Sequence, residues 1–331
     1  MPALQRAWLR RGAVACMLWP LSVLFGALVA LRRWSYRCGL IQGGLLRVPV
    51  IVVGNVIAGG SGKTPIVIEI VRHLRARGIT AGIVSRGYGR AGAQCMEVKR
   101  DSDPRATGDE PLLIARACGA PVFVSANRAE AGRALLAAHP ATQVIVCDDG
   151  LQHYGLRRDI EICVFDERGI GNGWLLPAGP LREPWPRPVD LVVQAGDPPG
   201  ISGFAVHRRL ADDARRSDGS SIELAQLRDR SLKAIAAIAK PQVFFSMLRE
   251  CGLDLAETIA LPDHYDFMRE DAVQEDGREL ICTEKDAVKL WRTHPQAWAV
   301  PLVLTVDPGF WSQFDSLLDA KLSSAHGPET S

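Results

Sequence analysis

The first 68 residues contain no aspartate and no glutamate. Seven arginines and Lys63 give this stretch a charge of +8, whereas the whole chain of 331 residues carries only +2, which leaves −6 for residues 69–331. The basic end therefore calls for an anionic partner, and no nucleic acid is expected to fill that role. Cys-x-x-Cys pairs are also missing. The eight cysteines, at 16, 38, 95, 118, 147, 163, 251 and 282, read as reduced core thiols, which argues against a disulfide framework or a zinc site. Internal repeats are absent, and so is the Asn-Lys-x-Asp signature of guanine-nucleotide proteins, which Thr283-Glu284-Lys285-Asp286 only approximates. What remains is 47% hydrophobic and 23% charged, the composition of a globular chain long enough for about two domains.

The acid-free stretch holds an uncharged run from Ala13 to Leu31, 19 residues that would span about 28 Å as a helix. Arg10 and Arg11 precede it, Arg32, Arg33 and Arg37 follow it, and Trp8, Trp19 and Trp34 mark possible interfacial levels. A cleaved secretory signal is one reading, but no clean small-x-small site follows the run, and export would separate a nucleotide site from cytosolic ATP. A simple span places Arg6, Arg10 and Arg11 outside, against the positive-inside tendency. A helix broken near Pro20 that lies in the cytoplasmic leaflet keeps both arginine clusters at anionic headgroups. Membrane attachment is the expectation, with the monotopic form preferred over the span.

After this segment, apolar Val48–Val53 runs into Gly54-Asn55-Val56-Ile57-Ala58-Gly59-Gly60-Ser61-Gly62-Lys63-Thr64-Pro65, and an amphipathic stretch follows. A strand feeding a glycine loop that opens a helix is the context a phosphate-binding loop requires. Backbone N–H groups of Gly59, Gly60, Ser61 and Gly62 would turn toward phosphate oxygens. Lys63 would reach the β- and γ-phosphates, and Thr64 would ligate Mg²⁺. The usual first glycine of such a loop is replaced by Ile57, so the match is a variant one.

Strand and helix then alternate: helix 64–77, strand 81–85, helix 110–118, strand 121–125, helix 128–138 and strand 143–147. This rhythm predicts an α/β fold, a doubly wound and mostly parallel sheet with ligands at the carboxyl ends of its strands. The expected organisation is a membrane-associated segment over 1–40, a nucleotide-binding domain over 41–200 and a connector over 201–231. A smaller α/β domain over 232–322 and a disordered tail over 323–331 complete it. The strand ending in Asp148-Asp149-Gly150 supplies the carboxylates that hold Mg²⁺ in a phosphate-loop protein, with Gln152 and His153 just beyond. Asp109 caps a helix or acts as a base. His264 is a loop histidine that gains meaning if it pairs with Asp109, because an alcohol acceptor needs a group to take its proton.

Seven motifs in order resemble the tetraacyldisaccharide 4′-kinase family: the loop over 54–65, Ser85-Arg86-Gly87-Tyr88-Gly89-Arg90, Gly108-Asp109-Glu110-Pro111, Asp148-Asp149-Gly150-Leu151-Gln152-His153, the stretch Leu176 to Pro184, Asp263-His264 and Thr283-Glu284-Lys285-Asp286. Ala236-Ala237 departs locally from the family pattern. The resemblance implies transfer of the γ-phosphoryl of ATP to the 4′-hydroxyl of an anionic glycolipid, tetraacyldisaccharide 1-phosphate, at the cytoplasmic face of the bacterial inner membrane. It implies nucleotide contacts by Asn55, the loop residues, Lys63, Thr64 and Gln152, and a metal side formed by Thr64, Asp148, Asp149 and Glu183. Catalysis would rest on Lys63, on Asp109 with His264, and on Arg128 as a guanidinium facing the transferring group. The competing expectation is a membrane-associated ATPase or GTPase switch with no phosphoryl acceptor.

Overall fold

Short Val- and Ile-rich runs build the strands, and their burial on every residue shows that both sheet faces are covered, as parallel sheets require. The structure is a computed structural model that describes residues 8–59, 62–267 and 276–325. In chain order its strands begin with β1 (Val50–Gly54), β2 (Ala81–Ser85), β3 (Met96–Val98), β4 (Val122–Val124), β5 (Val144–Asp148), β6 (Ile160–Phe165), β7 (Leu191–Ala195) and β8 (Phe204–Leu210). They continue with β9 (Asp213–Arg215), β10 (Ser221–Glu223), β11 (Leu232–Ala236), β12 (Leu255–Ala260), β13 (Glu279–Thr283), β14 (Trp298–Val300) and β15 (Leu302–Val306).

Nine of these form one sheet in the order β15-β8-β7-β6-β1-β5-β2-β4-β3, and the other six form a second in the order β10-β9-β14-β13-β11-β12. In the larger sheet β1 lies between β5 and β6 and runs parallel to both. The chain winds from β1 to β2 and β4, returns to β5, and then crosses to β6 on the other side of β1. The carboxyl ends of β1, β2 and β5 thus meet at the point where the winding reverses, the usual place for a ligand in an open parallel sheet. Helix Lys63–Ala76 buries Ile66, Val67, Ile70, Val71 and Leu74 on one face of the sheet, beside helices Asp109–Cys118 and Pro308–Ala325. Helix Arg128–Ala138 covers the opposite face.

Residues 201–231, expected as a connector, are instead built into both sheets. Phe204, Val206 and Leu210 alternate with His207 and Arg209 in β8, which extends the first sheet, whereas β9 and β10 join the second. β15 also returns to the first sheet, antiparallel to β8. Helix Pro308–Ala325 packs Phe310, Phe314 and Leu318 into the first core, so residues 323–325, expected in a tail, continue a helix.

The N-terminal helix runs unbroken over Ala13–Arg37, with Pro20 inside it. This corrects the expected break. Proline removes one backbone bond to the carbonyl four residues earlier, and the helix is pinned just beyond that point. Ser22 Oγ donates to the Leu175 carbonyl at 2.8 Å and accepts from the Ala178 N–H at 2.9 Å. Before the helix, Trp8 Nε1 donates to the Pro177 carbonyl and Arg11 Nε to the Asn172 carbonyl. Most of its apolar side chains, among them Met17, Trp19, Leu24, Leu28 and Leu31, remain exposed. Among the described residues it is the one helix long and apolar enough to cross a membrane.

Candidate active site

β1 ends at Gly54 and the glycine loop follows; Gly60 and Ser61 lie outside the described residues. Gly59 and Gly62 have φ of 94° and 75°, a region where a side chain strains the backbone, and Gly62 is the residue from which helix Lys63–Ala76 starts. Lys63 Nζ lies 3.5 Å from Asp149 Oδ1 and donates to Asn55 Oδ1 at 3.4 Å. Gln152 Nε2 donates to the Asn55 carbonyl at 2.9 Å, so the residue after Asp149-Gly150-Leu151 ties the two loops together.

Asp148 and Asp149 adjoin in sequence but differ in setting. Asp148 is 1% exposed; its Oδ2 accepts from Ser85 Oγ at 3.2 Å, while Oδ1 is buried with no partner among the described residues. Burial, with Glu110 and Asp149 adding repulsion, pushes its pKa up to about 7 against the pull of Lys63. Asp149 takes a left-handed backbone, φ 49°, which turns its carboxylate toward Lys63 and toward Arg182 Nη1, 3.4 Å away. Burial raises its pKa, but Lys63, Arg182 and Arg128 outweigh that and hold it below the usual carboxylate value.

Among the described residues no three His, Cys, Asp or Glu side chains are grouped to hold a metal unaided. Mg²⁺ does not need such a cage, since it binds through one or two carboxylates, phosphate oxygens and retained waters. A buried carboxylate oxygen left without a donor at Asp148, next to the loop that presents Thr64, fits that ion. Glu183, expected with the metal ligands, lines the same cavity as Asp148 and Asp149. It is 1% exposed, and its carboxylate accepts from Gln152 Nε2 at 2.8 Å, from the Tyr154 hydroxyl and from Arg187 Nη1 at 3.4 Å, so it anchors Gln152. Arg128 departs from its expected place. Asn127 caps the helix that Arg128 opens, and the guanidinium turns inward to the carbonyls of Asp149 at 3.2 Å and Ala126 at 3.4 Å. It braces the strained Asp149 backbone, and the arginine that lines both cavities is Arg182.

Asp109 and His264 come together without any ligand. His264, itself at φ 65°, sets Nδ1 3.0 Å from Asp109 Oδ2, and Lys289 Nζ lies 2.7 Å from the same oxygen. Burial alone would raise the Asp109 pKa; the bonds to His264 and Lys289 reverse that and hold it below the ordinary value. Lys289 also donates to the His264 and Tyr265 carbonyls, which fixes the loop. Close approach of Gly87 to Gly108, 3.1 Å from the position a side chain would occupy, packs the Arg86–Arg90 loop against the start of this helix.

Two cavities flank these residues. One of about 580 Å³ is lined by Gly62, Lys63, Thr64 and His264 and extends to side chains of the second sheet. The other, about 390 Å³, is lined by Asp148, Gln152 and Glu183 and by Phe25, Val29 and Arg32 of the N-terminal helix. Tyr88, Glu110, Asp149 and Arg182 line both. Asp109 lines neither; its pair with His264 reaches the larger one. Glu110, Lys289 and Arg208 at the loop were not singled out by sequence. Two of them carried a usable signal, Glu110 inside the Gly108–Pro111 motif and Lys289 one helical turn after Lys285 of the Thr283–Asp286 motif.

The profile of the family described as tetraacyldisaccharide-1-P 4′-kinase matches residues 14–322. The chain is 59% identical over 325 residues to the tetraacyldisaccharide 4′-kinase of Acidovorax sp. (strain JS42), covering 98% of this chain and 96% of that protein. It is 53% identical over 336 residues to the one of Polaromonas sp. (strain JS666 / ATCC BAA-500), covering 98% and 99%. A crystal structure of LpxK from Aquifex aeolicus, described as an apo form in complex with ATP, superposes with a TM-score of 0.81 at 28% identity, covering 93% of this chain and 99% of that one. The chain belongs to the tetraacyldisaccharide-1-P 4′-kinase family.

Proposed function

We propose that the chain transfers the γ-phosphoryl group of ATP to the 4′-hydroxyl of tetraacyldisaccharide 1-phosphate, giving lipid IVA in lipid A synthesis. The observation that carries this reading is the pair of cavities with a common wall: one at the phosphate loop, one under the exposed apolar helix, both lined by Tyr88, Glu110, Asp149 and Arg182. A nucleotide switch needs no second cavity that opens beside a membrane helix.

In this reading the 4′-oxygen attacks the γ-phosphorus, the bond from that phosphorus to the β,γ-bridging oxygen breaks, and ADP leaves. The hydroxyl proton passes to the Asp109–His264 pair, His264 facing the nucleotide cavity and Asp109 orienting it. Lys63 and the loop N–H groups hold the phosphates, and Arg182, kept near Asp149, stabilises charge on the transferring group. Asp148 and Thr64 would hold Mg²⁺, which neutralises negative charge on the β- and γ-phosphate oxygens when bound. Glu183 and Arg128 support Gln152 and Asp149.

The two sheets serve as two domains around the nucleotide, the chain crossing between them after β8 and again before β15. Helix Ala13–Arg37 attaches the protein to the cytoplasmic face of the inner membrane, its exposed apolar side in lipid and its flanking arginines at anionic headgroups. The acceptor then enters the smaller cavity from the bilayer beside Phe25 and Val29.

The test is transfer of label from γ-³²P-ATP with Mg²⁺ to detergent-dispersed tetraacyldisaccharide 1-phosphate. Labelled lipid is expected from the wild type and not from Lys63→Ala. Free labelled phosphate with no labelled lipid would move the case to the nucleotide switch.

A further inference from the structure

The nucleotide cavity follows helix Lys63–Ala76. Thr64, Ile68 and Arg72 line it at intervals of four residues, hence on one helix face. Eight residues of helix carry it about 12 Å from the phosphate loop, a reach suited to a nucleoside triphosphate laid out from phosphates to base. The wall contributed by helix Pro241–Glu250 is apolar, with Val243, Phe244 and Met247 near Leu302. A planar base suits such a wall.

One carboxyl group stands out in this lining. Glu284 lines the cavity together with Arg72. Its neighbours in Thr283-Glu284-Lys285-Asp286 are occupied. Thr283 Oγ1 and Asp286 Oδ2 bond at 2.7 Å, Asp286 Oδ2 also accepts from the Ala237 N–H at 3.0 Å, and Lys285 Nζ pairs with Asp263 at 3.2 Å. Glu284 makes no hydrogen bond or ion pair among the described residues. Glu284 is half-buried in the cavity wall, and its burial raises its pKa against Arg215 and Arg72. A half-buried carboxylate with no protein partner, in the wall of a cavity, is open to an N–H of a bound ligand.

Resting on the kinase reading above, we infer that Glu284 selects the base: its carboxylate accepts the 6-amino N–H of adenine and disfavours a 6-keto purine, whose oxygen would face it. In this arrangement Asp286, the residue that matches the end of the guanine signature, is a structural anchor, and Glu284 holds the specificity.

The experiment compares ATP with purine riboside 5′-triphosphate, which lacks the 6-amino group, in wild type and Glu284→Ala with the same lipid acceptor. Glu284→Ala is expected to raise KM for ATP by about tenfold or more, the worth of one hydrogen bond to a charged group. It should leave kcat nearly unchanged and hardly alter KM for the analogue. Glu284→Gln, whose amide both accepts and donates, should keep ATP use and improve use of inosine triphosphate. Equal losses with both triphosphates, no loss with either, or unchanged discrimination in Glu284→Gln would overturn the inference. Should the wild type phosphorylate no lipid, the kinase reading fails instead, and equilibrium binding of the two triphosphates still reads Glu284 on its own.

Discussion

The larger cavity is walled by the phosphate loop and by side chains from both sheets, whereas the smaller one is walled on one side by Phe25, Val29 and Arg32 of a helix whose other side is apolar and exposed. The first is a place for a soluble, polyanionic ligand, with Lys63, Arg182 and Arg208 in its lining. The second joins apolar side chains to Arg32, Arg86 and Arg182, the combination an acylated, phosphorylated sugar requires. Tyr88, Glu110, Asp149 and Arg182 belong to both, so chemistry between the two ligands has one available locus.

That contrast is sharpened by variants that strike one side only. The largest effect is expected from Asp109→Ala, which should lower turnover by about 10²–10⁴ while leaving ATP affinity nearly intact; an equal loss of ATP affinity, read by equilibrium binding, would make Asp109 a structural cap. Lys63→Ala should cost about 10²–10³ in turnover, the scale of losing one transition-state donor, and weaken ATP binding as well. Phe25→Ala should raise the acceptor KM by about tenfold, the worth of a buried aromatic contact, and leave the KM for ATP unchanged. If both KM values rose together, the cavities would not be separate sites.

The smallest effect concerns pH. Lys289 and His264 hold Asp109 below the ordinary carboxylate pKa, so Asp109 stays ionised and keeps orienting His264 as pH falls, until that depressed value is reached. Lys289→Met removes the cation 2.7 Å from Asp109 Oδ2. The acid limb of the pH–rate profile should then move to higher pH, and a limb that stayed in place or moved down would separate Asp109 from the proton transfer.

Much of the framework of the candidate site was legible in the sequence because its elements are local: a strand, a glycine loop and a helix within some 30 residues, and two aspartates at the end of another strand. The pairing of Asp109 with His264 was also anticipated, from the need of an alcohol acceptor for a base. Side-chain direction was not legible. Asp109 and Glu110 are adjacent, yet one turns to His264 and the other lines both cavities. Arg128 bears the right charge but donates to the Asp149 and Ala126 carbonyls, and Glu183 lines the smaller cavity while held by Tyr154 and Arg187. β8 was hidden because Arg208 interrupts the alternation of Val206 and Leu210 with His207 and Arg209, and because one of its two partners, β15, is nearly a hundred residues away, beyond any local pattern. The continuous N-terminal helix shows that a proline rule can be overridden by docking at Ser22.

The most direct measurement is the stereochemical course at phosphorus with chiral γ-[¹⁶O,¹⁷O,¹⁸O]ATP and tetraacyldisaccharide 1-phosphate. Two ligands meeting at one shared wall require a single in-line displacement, so the 4′-phosphate should form with inversion of configuration. Retention would mean that the phosphoryl group rests first on the protein, and would contradict direct transfer between the two cavities.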